Sequence, residues 1–519
     1  MLTTTDGVVV FVYAITLFAL AQWVSREKEG HQKNARDYFL AGSSLPWWAI
    51  GASLIAANIS AEQIIGMSGS GFAIGLGIAS YEWMAAITLI LVGKYLLPIF
   101  LKHGIYTMPQ FLEQRYDHSV RMVMAFFWLG VYIFVNLTSI LWLGALAIEK
   151  VAGVDLIYGM VFLGVFATGY SLYGGLKAVA FTDIVQVVLL VLGGIFIAWI
   201  MLDKVSDGAG VVAGFKALAE NAPEKFDMIL SPDNPHYVSL PGLSVLIGGM
   251  WIMNLSYWGF NQYIIQRALA AKNIHEAQKG IAFAAFLKLF MPVIVVLPGI
   301  AMFVLSPDLA SPDQAYPAAM TLLPSGIKGL VFAALLAAIV SSLASMINSI
   351  STIFTMDIYS SFVSREKQAN PVVVGRLVAI SAMTVAMLCA KPLLGNFDQA
   401  FQYIQEFTGF FTPGIVVIFL LGMFWKKSTA MGALAAAICS AILSFGFKML
   451  WPELPFIDRV GLVFLLCTVI AIVISIAQGN REQPGSIELA DIDFSTTQNF
   501  NVAGLAVALI LAALYATWW

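Results

Sequence analysis

Asn58, Ser60, Glu62 and Gln63 stand together in the stretch NISAEQIIGMSGSG, residues 58–71, inside an apolar run that extends from about residue 45 to residue 89. An ionised acid at the centre of a bilayer costs roughly 2.5 to 3.5 kcal/mol on insertion scales, so such a group needs a compensating role. Gly66, Gly69, Gly71, Gly75 and Gly77 leave the backbone that follows permissive, and Asn58 and Ser60 can bond to main-chain groups released by a break in a helix. Unwound backbone is tolerated at membrane depth only where it lines a cavity inside the protein, and the carbonyl oxygens exposed there are the hard ligands that a small alkali cation takes. Glu62 has an alternative, purely structural use, as a group bonded to a neighbouring helix.

In AAIVSSLAS, residues 337–345, Ser341 and Ser342 follow Ala338 by three and four positions, so both hydroxyls project from the face that carries Ala338. They can complete an oxygen cage, or bond back to the carbonyl four residues earlier, as serines in membrane helices commonly do. Glu82 in SYEWM, Lys288 in FLKLF and Gln405 with Glu406 in FQYIQEFTG are further polar groups embedded in apolar runs. Lys288 has no charge close to it in sequence and needs a partner from another helix, for which Glu82 is the candidate. Tyr81, Trp83, Tyr257, Trp258, Phe401 and Tyr403 neighbour these polar groups. Flat rings beside hydrogen-bonding pairs suit a molecule with apolar C–H faces and equatorial hydroxyls, which is a sugar.

The elements that must position these groups follow from composition. Sixty per cent of the 519 residues are hydrophobic, 11% are charged and the mean hydropathy is +0.85, so the chain is an all-α polytopic membrane protein. About fourteen apolar runs are long enough to cross a bilayer. They lie near 7–24, 46–73, 76–100, 120–149, 154–176, 180–202, 239–265, 276–305, 328–360, 371–391, 398–424, 428–449, 459–478 and 499–518. The first is read as a retained helix, since no basic segment precedes it and SREKEGHQK follows it. Placing the loop after it inside puts about 17 Lys and Arg on that side against about 8 on the other, so both termini are expected outside.

Two spans differ from the rest: 46–73, with the opening stretch, and 239–265, with NLSYWGFNQY. They stand five helices apart. An odd number of spans per unit inverts the second unit, which points to an inverted-repeat secondary transporter. The expected organisation is one membrane domain over 1–519. It comprises an N-terminal helix and inner loop (1–45), a first repeat (46–202), an outer loop (203–238), a second repeat (239–424) and three C-terminal helices (425–519).

The segments SLPWWAIGASLIAANISAEQIIGMSGSG, SYEWM, YSLYGGLKAVAFTDIVQV, NLSYWGFNQYIIQRALAAK, FAAFLK, FAALLAAIVSSLASMINS and AFQYIQEFTG resemble the sodium/solute symporter family, and in particular its sodium/glucose branch. The likeness covers nearly the whole chain. It implies fourteen helices in the five-plus-five inverted-repeat fold of the leucine-transporter type, with broken second and seventh helices. It also implies Na+ as the coupling ion and a hexose of the galactose or glucose kind as cargo, carried in a bacterial inner membrane. On this resemblance sodium is held by the carbonyls of Ala56, Ile59 and Ala338 and the hydroxyls of Ser341 and Ser342. The sugar is bonded by Gln63, Glu82, Asn254, Lys288 and Gln405, with Trp258 beside the pocket. Tyr257 closes the pocket from inside with Asn58 as its hydrogen-bond partner, and Met67, Tyr81 and Phe401 form an outer lid. Asp183 corresponds to an acid associated with sodium exit. Two positions depart from the pattern: Ala85 stands where a pocket serine is expected, and Ser256 where a tyrosine precedes the gate.

Other classes fit less well. Cys389, Cys439 and Cys467 all lie in expected helices and suggest neither disulfides nor a metal site. His31, His103, His118, His236 and His275 fall in loops or at helix ends, and no nucleophile motif lies in a span, so an enzyme is not expected. The absence of a basic patch argues against nucleic acid, and that of a repeated carbonyl filter or charged ring against a channel. A symporter of the same family for an amino acid, a carboxylate, sialic acid or inositol is the alternative. An anionic cargo would need an unpaired cation or a helix N-terminus at the pocket.

Overall fold

Where the chain crosses the membrane, each apolar run must satisfy its own backbone, and the helices follow from that requirement. The computed structural model describes residues 2–24, 44–105, 107–363, 370–395 and 399–519, apart from the side chains of 21, 22, 24 and 173–181. The segment SREKEGHQK, His31 and the start of the expected span at 398 lie outside the described residues. Among the described residues, nine helices are long and apolar enough to cross a membrane, or eleven if two bent pairs each count as one span.

The first helix, α1, is Thr4–Val24. The bent pair α2 (Trp47–Asn58) and α3 (Glu62–Ala73) turns through 58°. Then come α4 (Leu76–His103), a short α5 (Met108–Arg115) and α6 (His118–Ala152). Residues Leu156–Val205 are helical throughout, in two apolar stretches, α7 (Leu156–Leu172) and α8 (Thr182–Val205). The hydroxyls of Tyr170, near the end of α7, and Thr182, at the start of α8, are hydrogen-bonded to each other.

After α9 (Val211–Asn221) and the loop that follows it, the expected seventh span is in pieces. These are a single turn at Ser244–Ile247, α10 (Gly249–Leu255), a π-helical turn at Ser256–Phe260 and α11 (Gln262–Leu269). The chain continues as α12 (Ile274–Leu305), α13 (Ala315–Thr321), α14 (Ile327–Phe362) and α15 (Pro371–Leu394). The pair α16 (Ala400–Gly409) and α17 (Thr412–Phe424) is followed by α18 (Ala430–Leu450), α19 (Phe456–Ala477) and α20 (Gln498–Thr517).

Within the apolar run 398–424, α16 and α17 form a pair bent by 47°. Pro413, at the start of α17, lacks an N–H and crowds the carbonyl four residues earlier, which explains the bend.

The break in the second span is built locally. Ile59 leaves helical geometry (φ −71°, ψ 73°), and the Glu62 N–H turns to the Ser60 hydroxyl at 3.2 Å, so Ser60 caps the second half. Both halves lie along α12, which also packs on α4. A Cβ on Gly299 would stand 2.1 Å from the Ser68 carbonyl, so only glycine permits this approach of α12 to α3. Just past the C-terminal end of α3, Gly75 (φ +106°) abuts the backbone of Lys225. The Lys225 ammonium donates to the Ala73 carbonyl at 2.7 Å, capping α3. Burial holds that lysine below its ordinary pKa, against the pull of Glu224.

Candidate functional site

Two groups of residues meet at the break between α2 and α3. On one side lies a cavity of about 570 Å³. Its wall includes Gln63, Glu82, Asn254, Gln405 and Trp258, drawn from four separate segments. Asn58, Tyr257, Met67, Tyr81 and Phe401 line it as well. Tyr81 and Phe401 meet edge to face at 5.2 Å. The Asn58 amide donates to the Tyr257 hydroxyl at 3.1 Å. Ala85 and Ser256, the two departures from the family pattern, also face this cavity.

Lys288 is placed differently from a wall residue. Fully buried on α12, it lies behind the wall and donates to the Glu82 carboxylate and the Asn58 side-chain oxygen, 4.9 Å from the Trp258 ring centroid. A lone ammonium in an apolar bundle is too costly to leave unpaired, and these partners absorb it. Asn254 donates to the Met250 carbonyl at 3.1 Å, and the Gln63 side-chain oxygen accepts from Ser60 at 3.1 Å.

Several sequence candidates point elsewhere. Glu62 accepts from the Ser139 hydroxyl on α6 at 2.7 Å, the structural alternative considered above. The Trp83 indole donates to the Leu289 carbonyl at 3.3 Å. Glu406 turns to Lys448 and Arg459, each at 3.0 Å.

Four wall residues escaped the sequence reading: Met253, Asn261, Thr408 and Thr412. The spacing of Gln405, Thr408 and Thr412 by three and four is the signal that could have found two of them. Tyr81 and Thr408, both in the wall, carry buried hydroxyls with no hydrogen-bond partner among the described residues. Another cavity, of about 600 Å³ between α1, α7 and α14, is lined almost entirely by apolar side chains.

On the other side of the break are the oxygens. Ala56, Ile59, Ala338, Ser341 and Ser342 are all fully buried. The Ser342 hydroxyl on α14 lies 3.5 Å from the Ala56 carbonyl and 3.3 Å from that of Ala57. Ser341 donates to Asp183, whose other oxygen accepts from Ser53 at 2.6 Å. Asp183 is thus packed between α2 and α14, against one of the candidate ligands. These are uncharged oxygens of main chain and hydroxyl, the donor type that suits a hard monovalent cation. No cluster of three or more His, Cys, Asp or Glu that could hold a metal occurs among the described residues.

Sequence and fold comparisons agree with this architecture. Residues 38–440 match the sodium:solute symporter family. The chain is 50% identical to a sodium/glucose cotransporter of Vibrio parahaemolyticus, over 99% of this chain and 98% of that protein. It is 34% identical to sodium/glucose cotransporter 4 of Danio rerio, over 83% of this chain and 70% of that protein. It is 32% identical to sodium/myo-inositol cotransporter 2 of Mus musculus, over 84% and 69%. Among solved structures, a Na+-coupled sialic acid symporter in a substrate-bound outward-open state superimposes with a TM-score of 0.79 at 24% identity, over 92% of this chain and 98% of that one. The nucleobase-cation-symport-1 transporter Mhp1 superimposes with a TM-score of 0.57 at 13% identity, over 87% and 98%. With an interrupted second and seventh span around a polar cavity, and a family match across most of its length, the chain belongs to the sodium:solute symporter family and has the leucine-transporter-type inverted-repeat fold.

Proposed function

We propose that this protein is a sodium-driven symporter of an uncharged hexose, of the galactose or glucose kind, working by alternating access in a bacterial inner membrane with both termini outside. Residues 46–202 and 239–424 act as the two inverted halves. The reading rests on one observation: a single interrupted helix serves both groups of residues. The carbonyls of Ala56 and Ala57 lie beside the Ser342 hydroxyl, while Asn58 and Gln63, a turn further on, line the cavity.

Sodium entering from outside is held by the Ala56, Ile59 and Ala338 carbonyls and the Ser341 and Ser342 hydroxyls. It fixes residues 56–59 and with them the wall of the sugar pocket, so each ligand favours the same conformation of the break. Gln63, Glu82, Asn254 and Gln405 bond the hydroxyls, Trp258 lies beside the ring, and Lys288 acts by holding Glu82 and Asn58 in place. Tyr257 and Asn58 close the inner side, and Met67, Tyr81 and Phe401 the outer. Asp183, hydrogen-bonded to Ser341, helps the ion leave. One sodium suffices: about 2.3 kcal/mol per charge at ~100 mV plus about 1.4 for a tenfold gradient supports accumulation of several hundredfold. Neutral cargo is favoured over anionic because the cation nearest the wall, Lys288, is already spent on Glu82.

Uptake of labelled galactose and glucose into proteoliposomes tests this. Accumulation is expected under an inward sodium gradient, with competition by hexoses but not by proline or sialic acid; myo-inositol is the competitor that would broaden the substrate class. Accumulation that persists with choline in place of sodium and no other ion gradient would overturn the reading.

A further inference from the structure

Arg267 is the one charged side chain of α11, and it is 1% exposed. Holding a guanidinium in such a place costs several kcal/mol unless its donors are paired, so its partners indicate what it does. Its Nε donates to the Ser53 hydroxyl at 2.8 Å, one Nη donates to the Ser345 hydroxyl at 2.6 Å, and the other to the Tyr263 carbonyl at 2.5 Å. Ser53 lies on α2, one helical turn before Ala56. Ser345 lies on α14, one turn after Ser341. The planar fork therefore joins the same two helices that carry the candidate sodium oxygens, one turn away along each.

A hydrogen-bonded chain closes the arrangement. Ser53 accepts from Arg267 and donates to Asp183, which stands 3.9 Å from the guanidinium, and Asp183 also accepts from Ser341. With its proton directed at Asp183, the Ser341 oxygen keeps lone pairs for a cation. The same helix reaches the break by a second route, because the Tyr263 hydroxyl donates to the Ala57 carbonyl. Tyr257, which faces the cavity and bonds Asn58, lies just before the extended residue Asn261 (φ −80°, ψ 117°) that starts α11. A displacement of α11 is thus felt at the sodium oxygens and at the cavity together.

We infer that Arg267 is a positioning residue for sodium coupling: a tethered cation that bridges α2 and α14 beside the sodium oxygens and links their assembly to the placement of α11 and Tyr257. This rests on the reading of the protein as a sodium-coupled symporter. A lysine keeps the charge but cannot reach Ser53 and Ser345 at once as a fork does.

The test uses full-length protein with Arg267→Lys, Arg267→Gln, Ser345→Ala and Ser53→Ala. Stabilisation against heat by NaCl relative to choline chloride reports sodium binding without reference to the sugar. Sodium activation of hexose uptake, and hexose exchange at saturating sodium, report coupling. In the Arg267 variants the sodium concentration for half effect is expected to rise about tenfold or more in both measurements, while exchange falls less than about threefold. Ser345→Ala moves the same quantities in the same direction by about threefold. Unchanged sodium dependence in Arg267→Lys or in Ser345→Ala overturns the inference, as does an equal loss of exchange and sodium activation. Should the Arg267 variants fail to reach the membrane, the two serine variants decide by the same criteria. An unaltered protein that is stabilised by sodium yet accumulates no hexose overturns the sugar reading and leaves the role of Arg267 to the heat measurement.

Discussion

The Asn58 amide nitrogen donates to the Tyr257 hydroxyl at 3.1 Å, while the oxygen of the same side chain accepts from the Lys288 ammonium. One residue at the end of the first half-helix therefore ties the aromatic on the seventh span to the buried Lys288–Glu82 pair. Movement of Tyr257 cannot occur without releasing a buried amide.

Tyr257→Phe removes the hydroxyl but keeps the ring, leaving the Asn58 amide one partner short. Such a loss costs about 1 to 3 kcal/mol, or roughly 5- to 150-fold in an equilibrium constant. The KM for hexose is expected to rise about tenfold or more, with an unchanged amount of protein in the membrane. Uptake kinetics and an immunoblot of the membrane fraction check this.

Lys288→Met leaves Glu82 as a buried carboxylate without its cation, which costs about 3 to 5 kcal/mol. Detergent-solubilised protein should lose several degrees of melting temperature. The double variant Lys288→Met, Glu82→Gln should regain most of that stability and still fail to transport, because Glu82 lines the cavity. Recovery of transport along with stability would show that the pair is only structural.

Ser342→Ala and Gln405→Ala separate the two ligands. The first removes the hydroxyl near the Ala56 and Ala57 carbonyls, the second an amide in the cavity wall. Sodium activation is expected to weaken about tenfold in Ser342→Ala with little change in sugar KM at saturating sodium, and Gln405→Ala should do the reverse. Equal effects of both variants on both parameters would count against distinct sites.

Glu62→Gln should be close to neutral for transport, with a change in sugar KM below about twofold, since the amide oxygen can still accept from Ser139 and the side chain does not line the cavity. A large transport defect at unchanged stability would assign Glu62 a role that its position does not suggest.

Gly299→Ala should be among the most damaging single changes to folding. The new Cβ would meet the Ser68 carbonyl at 2.1 Å, and neither backbone can retreat without opening the seam between α12 and α3. A fall in melting temperature and in membrane-inserted protein is expected; a near-normal melting profile would show that the seam can open to admit a methyl group.

Much of this protein is legible along the chain because membrane helices must satisfy their backbone internally and announce themselves by apolar length. Asn58 to Gln63 marked the interrupted second span, NLSYWGFNQY the seventh, and Lys288 had to seek a partner such as Glu82. What one dimension does not carry is the direction in which a polar side chain turns once its helix is packed. Glu62 and Gln63 are adjacent, and since consecutive side chains of a helix do not share a face, Glu62 turns to Ser139 and Gln63 to the cavity; which faces which is set by the packing of the neighbouring helices. The withdrawal of Lys288 behind Glu82 and Asn58 and the reach of Arg267 to Ser53 and Ser345 were likewise decided only in the fold. Local composition determines where a helix must run and where it must break. The pairing of buried polar groups depends on partners that lie hundreds of residues away, and only packing brings them within hydrogen-bonding distance.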